Sequence, residues 1–182
     1  MTKYIVFTAD VGKETAAKLR AAITDALNTG MSEIYLAISS GGGNVVEGLS
    51  IAALMRSLPI DIATHNIGQT DSVSNVIFAA GKKRYANGHA SFMFHGVTLP
   101  VNANLAEHQL GELYEQVKRL RGAISTAFAL YTGIKVEDVT AWMSADSGSI
   151  LSAADGLSKT IIHEIRDFNI PQGVQIITIG NG

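Results

Sequence analysis

The sequence predicts a single α/β domain, residues 1–182, built on a mostly parallel sheet, and three observations carry that prediction. Apolar runs of strand length alternate with segments of helical period. Glycine or proline punctuates the junctions. The chain is 47% apolar and 16% charged over 182 residues, enough for one hydrophobic core and unlike a disordered segment.

The elements follow in order. Residues 4–8 read as a strand, and residues 13–28 as a helix with Ala17, Ala21 and Leu27 among its apolar positions. Gly30 stands just past that helix. A second strand, 33–38, leads into the turn Ser39-Ser40-Gly41-Gly42-Gly43-Asn44. The helix after it carries Val45, Leu49, Ala52 and Met55 and stops before Pro59. A third strand, 60–66, a turn at Gly68 and a short apolar helix from Ser72 to Ala80 come next. Strands are expected at 83–86 and 90–95. The longest helical stretch is 103–130, where Leu113, Val117, Leu120, Ile124 and Phe128 fall on one face. Helices at 136–145 and 152–157, a strand at 159–164 and an edge strand at 173–179 complete the chain. No internal repeat or linker divides it.

Composition narrows the function. The net charge of −2 points to neither nucleic acid nor an anionic membrane as partner. The clusters Lys82-Lys83-Arg84 and Lys118-Arg119-Arg121 are short and read as solvated faces. With no cysteine there is no disulfide framework, thiolate nucleophile or cysteine-based zinc site. No apolar run has the length of a signal peptide or a membrane span, so a soluble cytoplasmic protein is expected. Few charges on so small a domain suggest that it buries surface in a homo-oligomer.

Three elements carry chemistry. The three glycines at 41–43 stand between a strand and a helix, where backbone amides point outward with partial positive charge. They suit an oxyanion hole or a phosphate cradle, or simply a tight turn, and no Lys-Ser or Lys-Thr follows to make a phosphate loop. Ser72 sits at a strand-to-helix junction, where its hydroxyl and the amide of Val73 can face one point. Helix capping by Asp71 or Ser72 is the other reading of that junction. His95 ends the apolar run Phe92-Met93-Phe94 and precedes Gly96, a rigid place from which to aim an imidazole, or a structural position. His65, His89, His108 and His163 are weaker candidates, and no pair has metal-ligand spacing. No metal and no cofactor is assigned.

Together these elements resemble a family. Ile38-Ser39-Ser40-Gly41-Gly42-Gly43-Asn44-Val45-Val46-Glu47-Gly48 is similar to the I-N-S-P-G-G-x-V-x-x-G run of Clp protease proteolytic subunits. Gly68-Gln69-Thr70-Asp71-Ser72, ending at Ala79-Ala80-Gly81, resembles their G-Q-A-A-S nucleophile helix. Lys83-Arg84-Tyr85-Ala86, Met93-Phe94-His95, Tyr131-Thr132-Gly133 and Leu151-Ser152-Ala153 match further family segments, so the resemblance spans nearly the whole chain.

The resemblance implies a Clp/crotonase-type fold of repeated β-β-α units with a long protruding helix near 103–130. It implies a serine endopeptidase acting on peptides or unfolded proteins inside a homo-oligomeric ring, heptameric or stacked. Ser72 would be the nucleophile and His95 its base. Counted forward from Thr132-Gly133, the acid falls on Asp146; counted back from Leu151-Ser152-Ala153, its position becomes Gly148. The oxyanion amides would be Gly43, Gly42 and Val73.

The chain departs from the family at four places. Thr70-Asp71 replaces Ala-Ala before the serine, which makes Asp71 another possible acid. Val73-Ser74 replaces Met-Gly after it, which makes Ser74 a rival nucleophile, and Gly41 replaces a proline. The chain also begins almost at the first core strand, without the family's segment that engages an unfoldase, so the resemblance does not extend to an ATPase partner. Two other functions fit the pattern: an inactive structural subunit of the same family, and a crotonase-type acyl-CoA enzyme with the same glycine-turn oxyanion hole. A serine–lysine dyad through Lys82 or Lys83 is a minor variant.

Overall fold

The structure is a computed structural model that describes residues 1–101, 104–144 and 148–181. Its strands are β1 (Thr2–Thr8), β2 (Glu33–Ser40), β3 (Asp61–Asp71), β4 (Lys83–Ala86), β5 (Ser91–Phe94), β6 (Ser149–Ser152), β7 (Glu164–Ile165) and β8 (Ile176–Gly180). Its helices are α1 (Lys13–Asn28), α2 (Val45–Ser57), α3 (Ser74–Ala79), α4 (Glu107–Thr132), α5 (Val136–Ser144) and α6 (Ala153–Ser158).

One sheet runs in the order β6-β5-β3-β2-β1-β8. Every pairing is parallel except β5 with β6. The mostly parallel α/β architecture and the long helix agree with the expected fold. β3 is the hinge of the arrangement. Its first half pairs with β4 and its last residues, Gln69–Asp71, pair with β5. The site described below grows from that second half.

Periodicity placed the helices well and their buried faces less so. In α1 the buried stripe is Ala16, Leu19, Ile23 and Ala26, whereas Ala17 and Ala21 are exposed. Alanine marks no face by itself; the two large residues, Leu19 and Ile23, set the phase. In α4 Leu120, Ile124 and Phe128 are buried, while Leu113 and Val117 are only half-buried. The first half of α4 thus stands clear of the core, with Leu110 and Tyr114 exposed. Gly133, at φ 79°, ends the helix in a left-handed cap.

Four expected boundaries change. The third strand does not turn at Gly68 but runs on to Asp71, with a register shift opposite Ile38 and Ser40. Gly68 serves close strand approach there: a Cβ would lie 2.9 Å from Ser39 Oγ. The long helix begins at Glu107. The apolar run near 159–164 is mostly a helix exit, in which the amides of Ile161 and Ile162 donate to the Gly156 carbonyl and both side chains are buried. Only Glu164–Ile165 is strand. β6 replaces the start of the expected helix at 152, and its four residues are too few to show alternation.

The core ties the site to the body. Phe94 packs edge-on against Phe128, with ring centroids 5.1 Å apart, and against Trp142 at 5.2 Å. Buried Arg84 donates to the carbonyls of Ile161, Gly81, Tyr131 and Thr160, so it joins the ends of α3 and α4 to the loop after α6. Among the described residues no helix is long and apolar enough to cross a membrane.

Candidate active site

Three neighbouring parallel strands end at one place. β2 ends at Ser40 and enters the glycine turn, β3 ends at Asp71 beside Ser72, and β5 ends at Phe94 beside His95. Thr70 pairs with Ser40 on one side and with Phe92 on the other, which fixes the three exits in register. The carboxyl ends of adjacent parallel strands are where such sheets bind ligands.

Ser72 is held in an uncommon backbone conformation. Its φ is 56°, left-handed for a residue with a side chain. Such a turn persists only where its surroundings fix it. Here the Ser72 amide donates to the Met93 carbonyl at 2.9 Å. Ser74 Oγ accepts the Asp71 amide at 2.8 Å and lies 2.7 Å from the Asp71 carbonyl and 3.0 Å from that of Ser40. The Asn75 side-chain amide donates to the Met93 carbonyl at 2.7 Å, and Thr70 Oγ1 donates to Asn75 Oδ1 at 2.9 Å. Ser74, fully buried and engaged on every side, is a clamp and is closed to substrate. α3 starts at Ser74, so Ser72 lies in the turn before it and does not cap a longer helix.

The glycine turn is fitted to that serine. Gly42 has φ 90° and Gly43 φ 135°. A Cβ on Gly42 would lie 2.7 Å from the Ser72 Cβ, and one on Gly43 would lie 2.7 Å from the Val11 carbonyl oxygen. The Gly42 amide faces Ser40 Oγ at 3.3 Å. Among the described residues the amides of Gly43 and Val73 have no acceptor. Val73 itself is buried against Gly48, whose missing side chain makes the space for its methyl groups.

His95 Nδ1 donates to the Gly96 carbonyl at 2.7 Å, since a carbonyl can only accept. That tautomer leaves Nε2 as the acceptor, as a base requires. Ser72, His95, Gly41, Gly43, Val45, Val97 and Thr98 line one cavity of about 140 Å³. Among the described residues Ser72 Oγ makes no hydrogen bond, and no Ser72–His95 bond is closed. A looser pairing of this kind is common in unliganded sites.

The sequence leaves three positions at which an acid could fall. Asp146 lies outside the described residues. Gly148 packs on His95: a Cβ there would lie 3.1 Å from the His95 Cβ. Asp71 pairs with Met93 in the strand register and is half-buried. Burial pushes its carboxyl above the usual range, while the Met93 amide and the charge of His95 pull it down.

The other histidines are occupied elsewhere or lie in solvent. His65 is buried between the Tyr35 hydroxyl, Asn87 Oδ1 and the Arg166 carbonyl. His163 Nδ1 accepts the Arg84 amide. His89 and His108 are exposed. Lys82 pairs with Asp61 at the surface, and Lys83 is exposed. Sequence reasoning missed Val45, Val97 and Thr98 as cavity walls. Val97 and Thr98 follow His95-Gly96 directly, which is the one signal that pointed there.

Comparison with known proteins places the chain in a family. A protein-family model described as Clp protease matches residues 1–168. The chain is 32% identical over 145 residues to the ATP-dependent Clp protease proteolytic subunit 2 of Nocardia farcinica, covering 78% of this chain and 70% of that protein. It is 34% identical over 110 residues to subunit 1 of Corynebacterium jeikeium, covering 59% and 57% of the two chains. With subunit 2 of Thermobifida fusca it shares 28% identity over 135 residues, 73% of this chain and 64% of the other.

Proposed function

The chain belongs to the Clp protease family, and from that premise we propose that it is a serine endopeptidase with Ser72 as nucleophile and His95 as general base. The observation that carries the proposal is convergence. A strained serine, an imidazole with its Nε2 lone pair free and the unpaired Gly43 amide meet at one cavity on three adjacent strand ends, with the unpaired Val73 amide next to the serine in the chain. The matches extend over 57–70% of the length of the relatives compared, so activity and substrate are argued from this chain's own site.

In the proposed reaction Nε2 of His95 takes the Ser72 proton as Oγ attacks the peptide carbonyl. The amides of Gly43 and Val73, with Gly42 shaping the turn, receive the oxyanion. His95 then returns the proton to the leaving amine. Asp146 is the proposed orienting acid by resemblance. The substrate is a peptide or unfolded protein, and the assembly a homo-oligomeric ring. The exposed first half of α4 is the surface available for ring contacts. The comparisons lend no support to an acyl-CoA enzyme or an inactive subunit.

The test is labelling with a fluorophosphonate serine probe, mapped by mass spectrometry. An adduct on Ser72 that is lost in Ser72→Ala and His95→Ala is expected. A folded protein that takes no label would overturn the proposal.

A further inference from the structure

We propose that Val11 is a positioning residue for the oxyanion site: its backbone grips the glycine turn and aims the Gly43 amide, and the C-terminal tail holds Val11 in place through Asn181. The inference rests on the reading of Ser72 and the glycine turn as the reactive machinery, and names what keeps that turn in shape.

The grip is a single parallel bridge between Val11 and Gly43. The Val11 amide donates to the Gly42 carbonyl at 2.6 Å, and the Asn44 amide donates to the Val11 carbonyl at 2.7 Å. A trans peptide unit is planar, so its C=O and N–H point in opposite directions. The Gly42 carbonyl and the Gly43 amide belong to one such unit. With the carbonyl drawn to Val11, the Gly43 N–H faces away from Val11, and among the described residues no acceptor meets it. Gly43 lines the cavity together with Ser72 and His95. The unit lies between glycines at φ 90° and 135°, where no side chain opposes its rotation. Turned over, it would present a carbonyl oxygen where the reaction needs a donor.

Val11 is itself fixed. Its side chain is buried in the core, and the backbone groups around it all have partners. The Gly12 carbonyl accepts the Ala16 amide of α1 at 2.9 Å. The Asp10 carbonyl accepts Thr15 Oγ1 at 2.5 Å and the Gly12 amide at 2.9 Å. The Asp10 amide donates to Asn181 Oδ1 at 3.0 Å. Asn181 directly follows β8, whose Gly180 pairs with Thr8 of β1. A continuous line of contacts therefore runs from the tail through Asp10 and Val11 to the Gly42–Gly43 peptide. The family match ends at residue 168, so the Asn181 anchor lies in the part of the chain outside it.

The orientation of that peptide can be read without any activity. Residues 41–43 hold the only Gly-Gly bonds in the sequence. In full-length protein carrying glycine labelled at carbonyl carbon and amide nitrogen, only those bonds give a carbon–nitrogen NMR correlation. Gly41→Ala leaves the Gly42–Gly43 correlation alone and so assigns it. Val11→Pro removes the donor to Gly42. It should shift that correlation and lower the maximal rate of fluorophosphonate labelling at Ser72 by on the order of a hundredfold, with probe affinity unchanged. Asn181→Ala should shift the same correlation and slow labelling about fivefold, the scale of one hydrogen bond. Asn181→Asp, which keeps the acceptor, should restore most of that rate. Where Val11→Pro does not fold, Asn181→Ala decides. A folded variant of either kind that labels at the wild-type maximal rate overturns the role. A correlation that shifts as expected in a protein whose wild type never labels upholds the grip and sinks the hydrolase reading instead.

Discussion

Gly42 lies so close to Ser72 that a Cβ on the glycine would stand 2.7 Å from the serine's own Cβ. The two turns therefore leave no room for a side chain between them. Gly42→Ala is also strained by its φ of 90°. Its expected effect is a fall of about a hundredfold in the labelling rate of Ser72, because small displacements of a nucleophile are costly. A labelling time course on the folded variant checks this; an unchanged rate means that the contact is not tight.

Gly48 and Val73 form a second fitted pair. A methyl group on Gly48 would overlap both Val73 methyl groups. Gly48→Ala should destabilise the protein by roughly 1–3 kcal/mol through overpacking. Val73→Ala introduced beside it should recover part of that loss. Urea denaturation of the single and double variants measures the coupling, and additive losses would contradict it.

Arg84 donates to four backbone carbonyls from a position only 6% exposed. Arg84→Met would keep much of its volume and strand those carbonyls. The expected cost is about 3 kcal/mol, set by buried acceptors without donors. Equilibrium unfolding reads it, and a loss below about 0.5 kcal/mol, the usual level for surface changes, would show that water replaces the guanidinium.

Buried His65 makes stability fall on the acid side. Burial holds its pKa below the ordinary 6.5, although the hydrogen bonds to Asn87 and to the Arg166 carbonyl oppose this. The unfolded chain then binds the proton more readily than the folded one. Its contribution is complete above about 6.5 and is lost as pH falls toward the depressed folded value. His163, depressed mainly by burial, acts in the same direction. Denaturation midpoints across this range should decline with acid in wild type and decline less in His65→Gln. Equal slopes would assign the effect elsewhere.

The elements of the candidate site were legible in the sequence because each sits at the end of an apolar run. Glycines 41–43, Ser72 and His95 are all abrupt stops to strands, and the structure brings these stops together. Ser74 was not legible. A serine two residues from the proposed nucleophile looks like a competitor until the fold shows it buried and fully bonded. Gly148 was hard to place for a related reason. Its position depends on the antiparallel pairing of Phe94 with Ser149, a contact far apart in the chain. Short strands such as β6 and β7 take their conformation from partners, so their own residues say little.

The left-handed backbone at Ser72, φ 56°, also sets the direction in which the protein drifts once selection relaxes. Glycine adopts that conformation without the penalty that a side chain incurs, on the order of 1–3 kcal/mol. A Ser72→Gly change would remove the hydroxyl and relieve the turn in the same step. Loss of the proposed nucleophile would therefore leave a chain at least as stable as its parent, and purifying pressure on this residue would have to come from activity alone, since folding would favour its replacement.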